Sequence, residues 1–190
     1  MPKLFVRVVL PLVAGAALLA GCTSTQGGTA SPVQSPSAGE SSAPETSSSS
    51  GDGGTESISD PCSLIEAGDL SSYGEFNAPV SKKIGTARSC SYQKKIASAS
   101  EESIVVGVNV RDDASVDQVN DTGGGVVDKD INGRKAKEAS GGSVAACTLG
   151  LAVGASRVDV VATTVQSADH ACEIAEAVAK AAVEPRLPKG

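Results

Sequence analysis

The residues best suited to chemistry in this chain of 190 residues are its five cysteines. Cys22 follows an apolar segment, and the later four are Cys62, Cys90, Cys147 and Cys172. No two are separated by only two residues, as in zinc sites and thioredoxin-like redox pairs, so we expect neither. An even set of four in an exported chain is typical of two disulfides. Three connectivities are open, and we favour Cys62 with Cys90 and Cys147 with Cys172. Each pair would tie the start of a helix to a nearby strand.

The segment before Cys22 has the proportions of a secretory signal peptide. Lys3 and Arg7 give it a positive start. The apolar run over 8–20 is shorter than the roughly 20 residues that a membrane-spanning helix needs. We therefore predict that residues 1–21 are a signal peptide.

Residues 19–22, Leu-Ala-Gly-Cys, resemble the bacterial lipobox. The resemblance implies that the thiol of Cys22 is diacylated, with chains such as palmitate, and that signal peptidase cuts before this residue. Two acyl chains hold a protein firmly on a membrane, whereas one binds reversibly. We therefore expect a lipid anchor at Cys22, on the outer face of the cytoplasmic membrane. An ordinary secretory signal is the alternative.

Residues 22–57 have the composition of a tether. Of the 35 residues over 23–57, 25 are Ser, Thr, Gly or Pro, and Ile, Leu, Phe, Tyr and Trp are absent. Such a segment buries too little apolar surface to offset the entropy lost on ordering. We predict a disordered tether, whose hydroxyl groups are open to O-glycosylation.

The net charge of the chain limits which classes of partner it is expected to bind. Without the two cations of the predicted signal peptide, the chain has 14 lysines and arginines and 22 aspartates and glutamates, so its net charge is −8. An acidic chain with few aromatic residues is a poor match for nucleic acid, which favours basic surfaces and stacking side chains. Short basic groups at 82–83, 94–95 and 134–137 could form one face toward anionic lipid headgroups, or simply a solvated surface.

Residues 58–190 are predicted to form a single disulfide-bonded domain. Alternating apolar residues, as over 104–110, predict about five or six antiparallel strands. A helix from Pro61 to about Ser71, capped by Asp60, precedes them, and a second helix follows them. This order is typical of an α+β fold, in which an antiparallel sheet has its N-terminal and C-terminal helices packed on one face.

The C-terminal helix is the clearest predicted element. Asp169 is placed to cap it, Glu176 and Lys180 to pair on its outside, and Pro185 to end it. Its buried stripe is predicted to consist of Ile174, Val178, Ala181 and Ala182.

A calcium site is the alternative to a turn at Asp128, Asp130, Asn132 and Gly133. These residues occupy positions one, three, five and six of an EF-hand loop. That loop also needs a bidentate glutamate at position twelve, where this chain has Ala139. Asn-Gly between two extended segments is typical of a two-residue hairpin turn, because both residues adopt positive φ. We therefore predict a hairpin here.

Candidate catalytic residues are scarce. His170 is the single histidine and stands at the predicted start of the C-terminal helix, where a surface position is expected. The sequence lacks the motifs of zinc proteases, serine hydrolases and β-lactamases. The acidic pairs at 101–102 and 112–113 are adjacent, so no acid and base for glycoside hydrolysis can be inferred from them. We expect no enzymatic activity, no catalytic residue and no bound cofactor or metal.

Several segments together resemble the actinobacterial lipoproteins of the domain of unknown function 3558 family. They are "LAGC", "DPCSLI" at 60–65, "CSY" at 90–92, "INGRKA" at 131–136, "CTLGLAV" at 147–153 and "ACEIAEAVAKAAVEPRLP" at 171–188. Two departures are Tyr92, where the family pattern has Trp, and the His-Ala before Cys172, where it has a proline. The resemblance implies a cell-surface lipoprotein with paired cysteines, and it implies no particular chemistry.

The sequence therefore favours a membrane-anchored, extracytoplasmic binding or accessory module without enzymatic activity. Its expected partners are the membrane, through lipid on Cys22, and an unknown envelope protein or small apolar ligand. A structural envelope lipoprotein without a small ligand is the first alternative. A hydrolase of cell-wall material is the second.

Overall fold

The computed structural model describes residues 53–189. Cys22, the predicted signal peptide and nearly all of the predicted tether lie outside this range. None of the helices over 53–189 combines the length and apolar character that a membrane crossing requires. Within this range, Thr55, three residues before the predicted domain start, is already buried and donates a hydrogen bond to Asp112 (2.7 Å).

Seven antiparallel strands form one sheet. They are β1 (Val80–Ile84), β2 (Ala87–Gln93), β3 (Ile104–Arg111), β4 (Val126–Ile131), β5 (Arg134–Ser140), β6 (Ala145–Val153) and β7 (Ser156–Thr164). Their order is β1-β2-β3-β7-β6-β5-β4, so β1 and β4 are the edges. The antiparallel sheet is confirmed, but the count of five or six strands is wrong. The additional strand is β1, whose five residues are all exposed, so no alternation of burial marks it in the sequence.

The N-terminal α-helix predicted over 61–71 is also wrong. Two short 3₁₀ helices, Pro61–Leu64 and Ala67–Tyr73, stand in its place, after a first 3₁₀ turn at Thr55–Ser57. A packed helix at each end of the chain is therefore not what the structure has. Within the described residues, α-helix is found only at the C-terminal end of the chain.

A hydrogen bond from a buried tyrosine explains the break between the two 3₁₀ helices. Asp60 caps the first of them as predicted, by accepting a hydrogen bond from the Cys62 N–H (2.9 Å). Ile65 is extended and buried, and its carbonyl oxygen accepts a hydrogen bond from the Tyr92 hydroxyl (2.8 Å). A continuous α-helix would use this carbonyl within the helix, so the tertiary contact overrides the local helical pattern.

The C-terminal helix is confirmed. It consists of α1 (Ala168–Val178), a π-helical segment (Ala179–Val183) and a final turn, α2 (Glu184–Arg186). The predicted outer pair of Glu176 with Lys180 is present (2.5 Å). This helix packs along β6 and β7.

The two ends of this helix differ from the prediction. Ser167 caps α1 instead of Asp169, because the Ser167 hydroxyl accepts a hydrogen bond from the His170 N–H (3.1 Å). Pro185 lies inside α2 and does not end the helix, which stops after Arg186. Proline is tolerated there because it occupies the first turn of α2.

The π-helical segment changes which residues face the sheet. Ala181, predicted to be buried, is exposed, whereas Ala182 and Val183 are buried. A π turn takes more residues than an α turn, so the buried stripe shifts along the sequence. The predicted stripe assumes a constant helical period, which a π turn does not keep.

One face of the sheet, the covered face, packs against α1 and the N-terminal 3₁₀ helices. Its fully buried aliphatic residues include Val106, Val108, Val110, Leu149, Leu151, Val158 and Val160, and Ile174 of α1 belongs to the same core. Disulfides join Cys62 to Cys90 of β2, and Cys147 of β6 to Cys172 of α1. These are the two pairings that the sequence favoured, and each connects a helix to a strand.

The chain between β3 and β4 crosses the other face of the sheet, the open face. Residues 112–121, the strap, pass over β7, β6 and β5. Arg157 of β7 donates a hydrogen bond to the Ser115 carbonyl oxygen of the strap (2.9 Å). A β-carbon added to Gly150 of β6 would lie 2.6 Å from the Val119 side chain. Glycine at this position therefore lets the strap approach the sheet closely.

Candidate functional site

The part of the open face that the strap leaves uncovered is built from small, uncharged side chains. This surface, the open patch, consists of Ser91, Val105, Gly107, Ala146, Thr148, Val161 and Thr163, all partly exposed. Strand register aligns them in two rows across β2, β3, β7 and β6. With neighbouring strands about 4.8 Å apart, the row over four strands spans roughly 14 Å. The open patch is thus a continuous surface on four adjacent strands of the sheet.

Four exposed valines surround the open patch. Val80 of β1 and Val126 of β4 belong to the open face at the two edges, and Val144 and Val165 adjoin the ends of β6 and β7. Val165 is the most exposed of them, at 70%, and Val80 and Val144 follow at 58%. Exposed apolar residues that gather around an uncharged surface indicate an interaction site, whereas scattered ones do not. The open patch and these valines are therefore the candidate docking surface.

Charged residues concentrate at the opposite end of the strands, where they bind one another. Asp159 is buried and accepts hydrogen bonds from Arg111 (2.5 Å) and Arg157 (2.7 Å). Arg88 and Asp112 form another pair (2.7 Å). The hydrogen bond from the Arg88 guanidinium lowers the pKa of the Asp112 carboxyl below its usual value. The charged side chains at this end of the domain therefore stabilise the fold by pairing with one another.

A cavity of about 590 Å³ lies between the β4–β5 turn and the end of the C-terminal helix. It is lined by Asn132, Gly133, Arg134, Glu184, Pro185, Leu187 and Lys189. Arg134 lies 3.3 Å from Glu184, and its other nitrogens donate to the carbonyl oxygens of Ala152 and Pro188 (2.7 and 2.9 Å). The Asn132 amide donates to a carbonyl oxygen of the helix (3.0 Å). These groups dock the hairpin on the helix, and a small apolar ligand would find few apolar contacts here.

His170 occupies the surface position expected of it, near the start of α1. Its Nε2 atom lies 3.2 Å from Glu102 and its Nδ1 atom lies 3.4 Å from Glu173. Glu102 also accepts a hydrogen bond from the Thr164 hydroxyl. The histidine therefore joins the loop before β3 to the helix.

The hairpin prediction at Asn132 and Gly133 is confirmed. Both residues have positive φ, 55° and 88°, and they connect β4 to β5. Asp130 accepts a hydrogen bond from the Gly133 N–H (2.8 Å), and Asp128 forms an ion pair with Lys137 (2.6 Å). The candidate calcium ligands therefore lie along a strand and a turn, which is incompatible with the coordinating loop of an EF-hand.

One group of metal-ligand residue types lies outside that hairpin. Glu138, Cys147 and Cys172 have potential ligand atoms within 4.8 Å of one another. The two sulfurs form a disulfide, and a metal needs thiolates. The disulfide therefore occupies the position in which a metal would have to bind.

The basic groups considered for lipid headgroups lie near opposite edges of the sheet. Lys82 and Lys83 belong to the edge strand β1, whereas Lys135 and Lys137 belong to β5, and four strands lie between β1 and β5. Lys135 and Lys137 both lie within ion-pair distance of Asp117 of the strap (2.9 and 3.8 Å). These ion pairs help to hold the strap on the sheet. Lys82 and Lys83 of β1, in contrast, form no ion pair with a described residue.

The family comparison covers most of the chain. The sequence model of a family described as "Protein of unknown function (DUF3558)" matches residues 17–185. The chain belongs to the DUF3558 family. No curated protein and no solved structure matches it. The DUF3558 match includes every strand and α1, so the whole described fold falls within it except the last residues.

The segments that resemble DUF3558 proteins mostly build the covered face. The "CSY" segment supplies Cys90 and Tyr92, and the "INGRKA" segment supplies the Asn132 and Arg134 contacts with the helix. Among these segments, only "CSY" and "CTLGLAV" contribute to the open patch, through Ser91 and Thr148. Membership in DUF3558 therefore does not identify a partner.

Proposed function

We propose that this DUF3558 protein is a membrane-anchored extracytoplasmic lipoprotein, a non-enzymatic accessory module that binds a protein of the cell envelope. The anchor is the lipid on Cys22, and the tether over 22–57 carries the domain away from the membrane. The lipobox resemblance and the two disulfides, which suit an oxidising compartment, support this location.

The observation that carries the proposed binding role is the open patch. Seven partly exposed, uncharged residues lie together on one face of the sheet, and the other face packs against α1 and the N-terminal 3₁₀ helices. A protein surface can cover such an uncharged area, because interfaces have cores with few charged residues. A small molecule instead prefers a concave site, and the 590 Å³ cavity has its polar groups engaged within the domain.

Photo-crosslinking in the native host tests the binding role. A photoreactive residue at Thr163, in the open patch, is compared with one at Ala177, on the exposed outer side of α1. We expect a discrete adduct with one protein from Thr163 and none from Ala177. Equal adduct patterns from the two positions, or no adduct from Thr163, would contradict the docking role and favour a structural envelope lipoprotein.

Mass spectrometry of the chain purified from the same cells tests the anchor. The proposal expects a protein that begins at Cys22 and carries the mass of its acyl chains. A chain that begins at Met1 with a free thiol at Cys22 would contradict the location.

A further inference from the structure

The edge strand β1 carries positive charge that the domain leaves unpaired. Each arginine of the described chain has a carboxylate partner. Lys82 and Lys83 are exposed and have no ion pair with any described residue, and neither does Lys94 just beyond β2. In an acidic protein, this is a local excess of positive charge. It favours a partner with negative charge at the same position.

Within residues 53–189, no strand pairs with the outer edge of β1. Ile84 and Ala87 flank the two-residue turn and therefore form a hydrogen-bonded pair. Hydrogen-bonded and non-hydrogen-bonded pairs alternate along an antiparallel ladder, so Ser81 and Lys83 direct their N–H and C=O groups away from β2. An incoming extended segment can pair with these four groups.

A second copy of this chain is a poor occupant of this edge. If two β1 strands paired antiparallel about a two-fold axis along their full length, Lys82 would lie opposite its own counterpart. The Cα atoms of such a non-hydrogen-bonded pair are about 4.5 Å apart, so the like charges would repel. Lysines on an edge strand are a known protection against self-association. The same lysines attract a segment that carries carboxylates.

We propose that β1 accepts an extended, acidic segment of another protein as an eighth strand of the sheet. Side chains of successive residues point to opposite faces, so two adjacent acidic residues in that segment would face Lys82 on the open face and Lys83 on the covered side. Val80 and Ile84 flank Lys82 on the open face and provide apolar contacts. The inference specifies the partner chemistry for the proposed protein-binding role and rests on that role.

The test uses the full chain in detergent micelles and a dye-labelled, capped hexapeptide, Thr-Val-Glu-Glu-Val-Thr. The matched control peptide is Thr-Val-Lys-Lys-Val-Thr. Affinity is measured by fluorescence anisotropy at low salt, and amide hydrogen exchange is measured over residues 79–85. We expect the acidic peptide to bind, to slow exchange in β1, and to bind more tightly than the lysine peptide by about tenfold.

Two variants separate charge from backbone pairing. Lys82→Glu combined with Lys83→Glu should reverse the preference, so that the lysine peptide binds more tightly. Ser81→Pro removes an N–H that faces outward and not one of the β1–β2 ladder, so it should abolish binding while the fold is retained. Lys189→Glu changes a lysine without an ion pair in the described chain but far from β1, and should leave binding unchanged.

Three results would overturn the inference. They are the absence of binding by the acidic peptide, equal binding by both peptides, and undiminished binding to Ser81→Pro with unchanged exchange in β1. The last result would show that the lysines attract the acidic peptide by charge alone, without pairing of the two main chains. The proposed function is tested separately, because an adduct from Thr163 without peptide binding would leave the docking role intact and refute only the strand addition.

Discussion

The two faces of the sheet differ in what they contribute, and neighbouring residues of β7 show this directly. Val160 lies on the covered face and is fully buried, whereas Val161 lies on the open face and is partly exposed. The covered face has the large aliphatic side chains, both disulfides and the helix. The open face has the strap and, beyond it, small uncharged side chains. Stability is therefore concentrated on one face, which leaves the other available for a partner.

The largest expected effect comes from the disulfide that ties α1 to the sheet. Replacing Cys147 and Cys172 by alanine should lower the free energy of unfolding by about 2–4 kcal/mol, because the unfolded chain gains entropy. Urea unfolding measures this loss. Wild-type protein treated with reductant is the control and should lose at least as much. A loss below about 0.5 kcal/mol would mean that this bridge does little to stabilise the covered face.

The buried tyrosine of the covered face should make stability fall at alkaline pH. Burial raises the pKa of Tyr92 to about 12, and the carboxylates of Asp60 and Asp69 add to the effect. The neutral hydroxyl is therefore favoured in the folded state. Its contribution is fully present below about pH 10, the value in the unfolded chain, and is lost between about pH 10 and 12.

The loss of stability over that interval should be on the order of 2–3 kcal/mol. Tyr92→Phe is the matched control. It loses the hydrogen bonds to the Cys62 and Ile65 carbonyl oxygens at all pH values and should show a smaller decrease between pH 10 and 12. Parallel stability curves for the two proteins would show that the Tyr92 hydroxyl is not responsible.

Val160 and Val161 are consecutive residues of β7 that point to opposite faces of the sheet, so alanine variants of the two compare the packing of the faces. Val160→Ala should lower the free energy of unfolding by about 2 kcal/mol, through lost burial and the cavity left behind. Val161→Ala should lower it by less than about 1 kcal/mol, because its side chain is already partly exposed. Equal losses in denaturant unfolding would indicate that the open face is packed as tightly as the covered face.

The last prediction concerns the strap. Gly150→Ala would place a β-carbon 2.6 Å from Val119 and 3.2 Å from Asp159. We expect a loss of about 1 kcal/mol and faster amide exchange in the strap. Gly68→Ala is the control, since a β-carbon there meets nothing within 4 Å. If the two variants behave alike, contact between Val119 and Gly150 is not what holds the strap.

The residues that follow a simple period were predictable from the sequence. Alternation over Ile104–Arg111 indicated a strand with one buried face, and the Asn132-Gly133 turn follows from the φ angles that its residues tolerate. The helical period located α1, but it misplaced Ala181, because a π turn is a response to packing. The edge strand β1 has no buried side, so no pattern marked it.

The open patch could not be predicted for a related reason. Its residues are scattered over four strands, and each is a small side chain of a type common in any sheet. What brings them together is the strand order, in which β7 lies between β3 and β6. The course of the strap then decides which of them remain uncovered. Neither the strand order nor the path of the strap is local, and both depend on tertiary packing.

Hydroxyl-radical footprinting of the protein in its native envelope, compared with the purified chain, tests most directly whether the open face binds a partner in the cell. Our account predicts that oxidation of Val105 and Val161 falls in the envelope, while oxidation of the exposed Pro185 stays the same. Equal oxidation of the two valines in both preparations would contradict it, because the open patch would then be as uncovered in the cell as it is in the isolated protein.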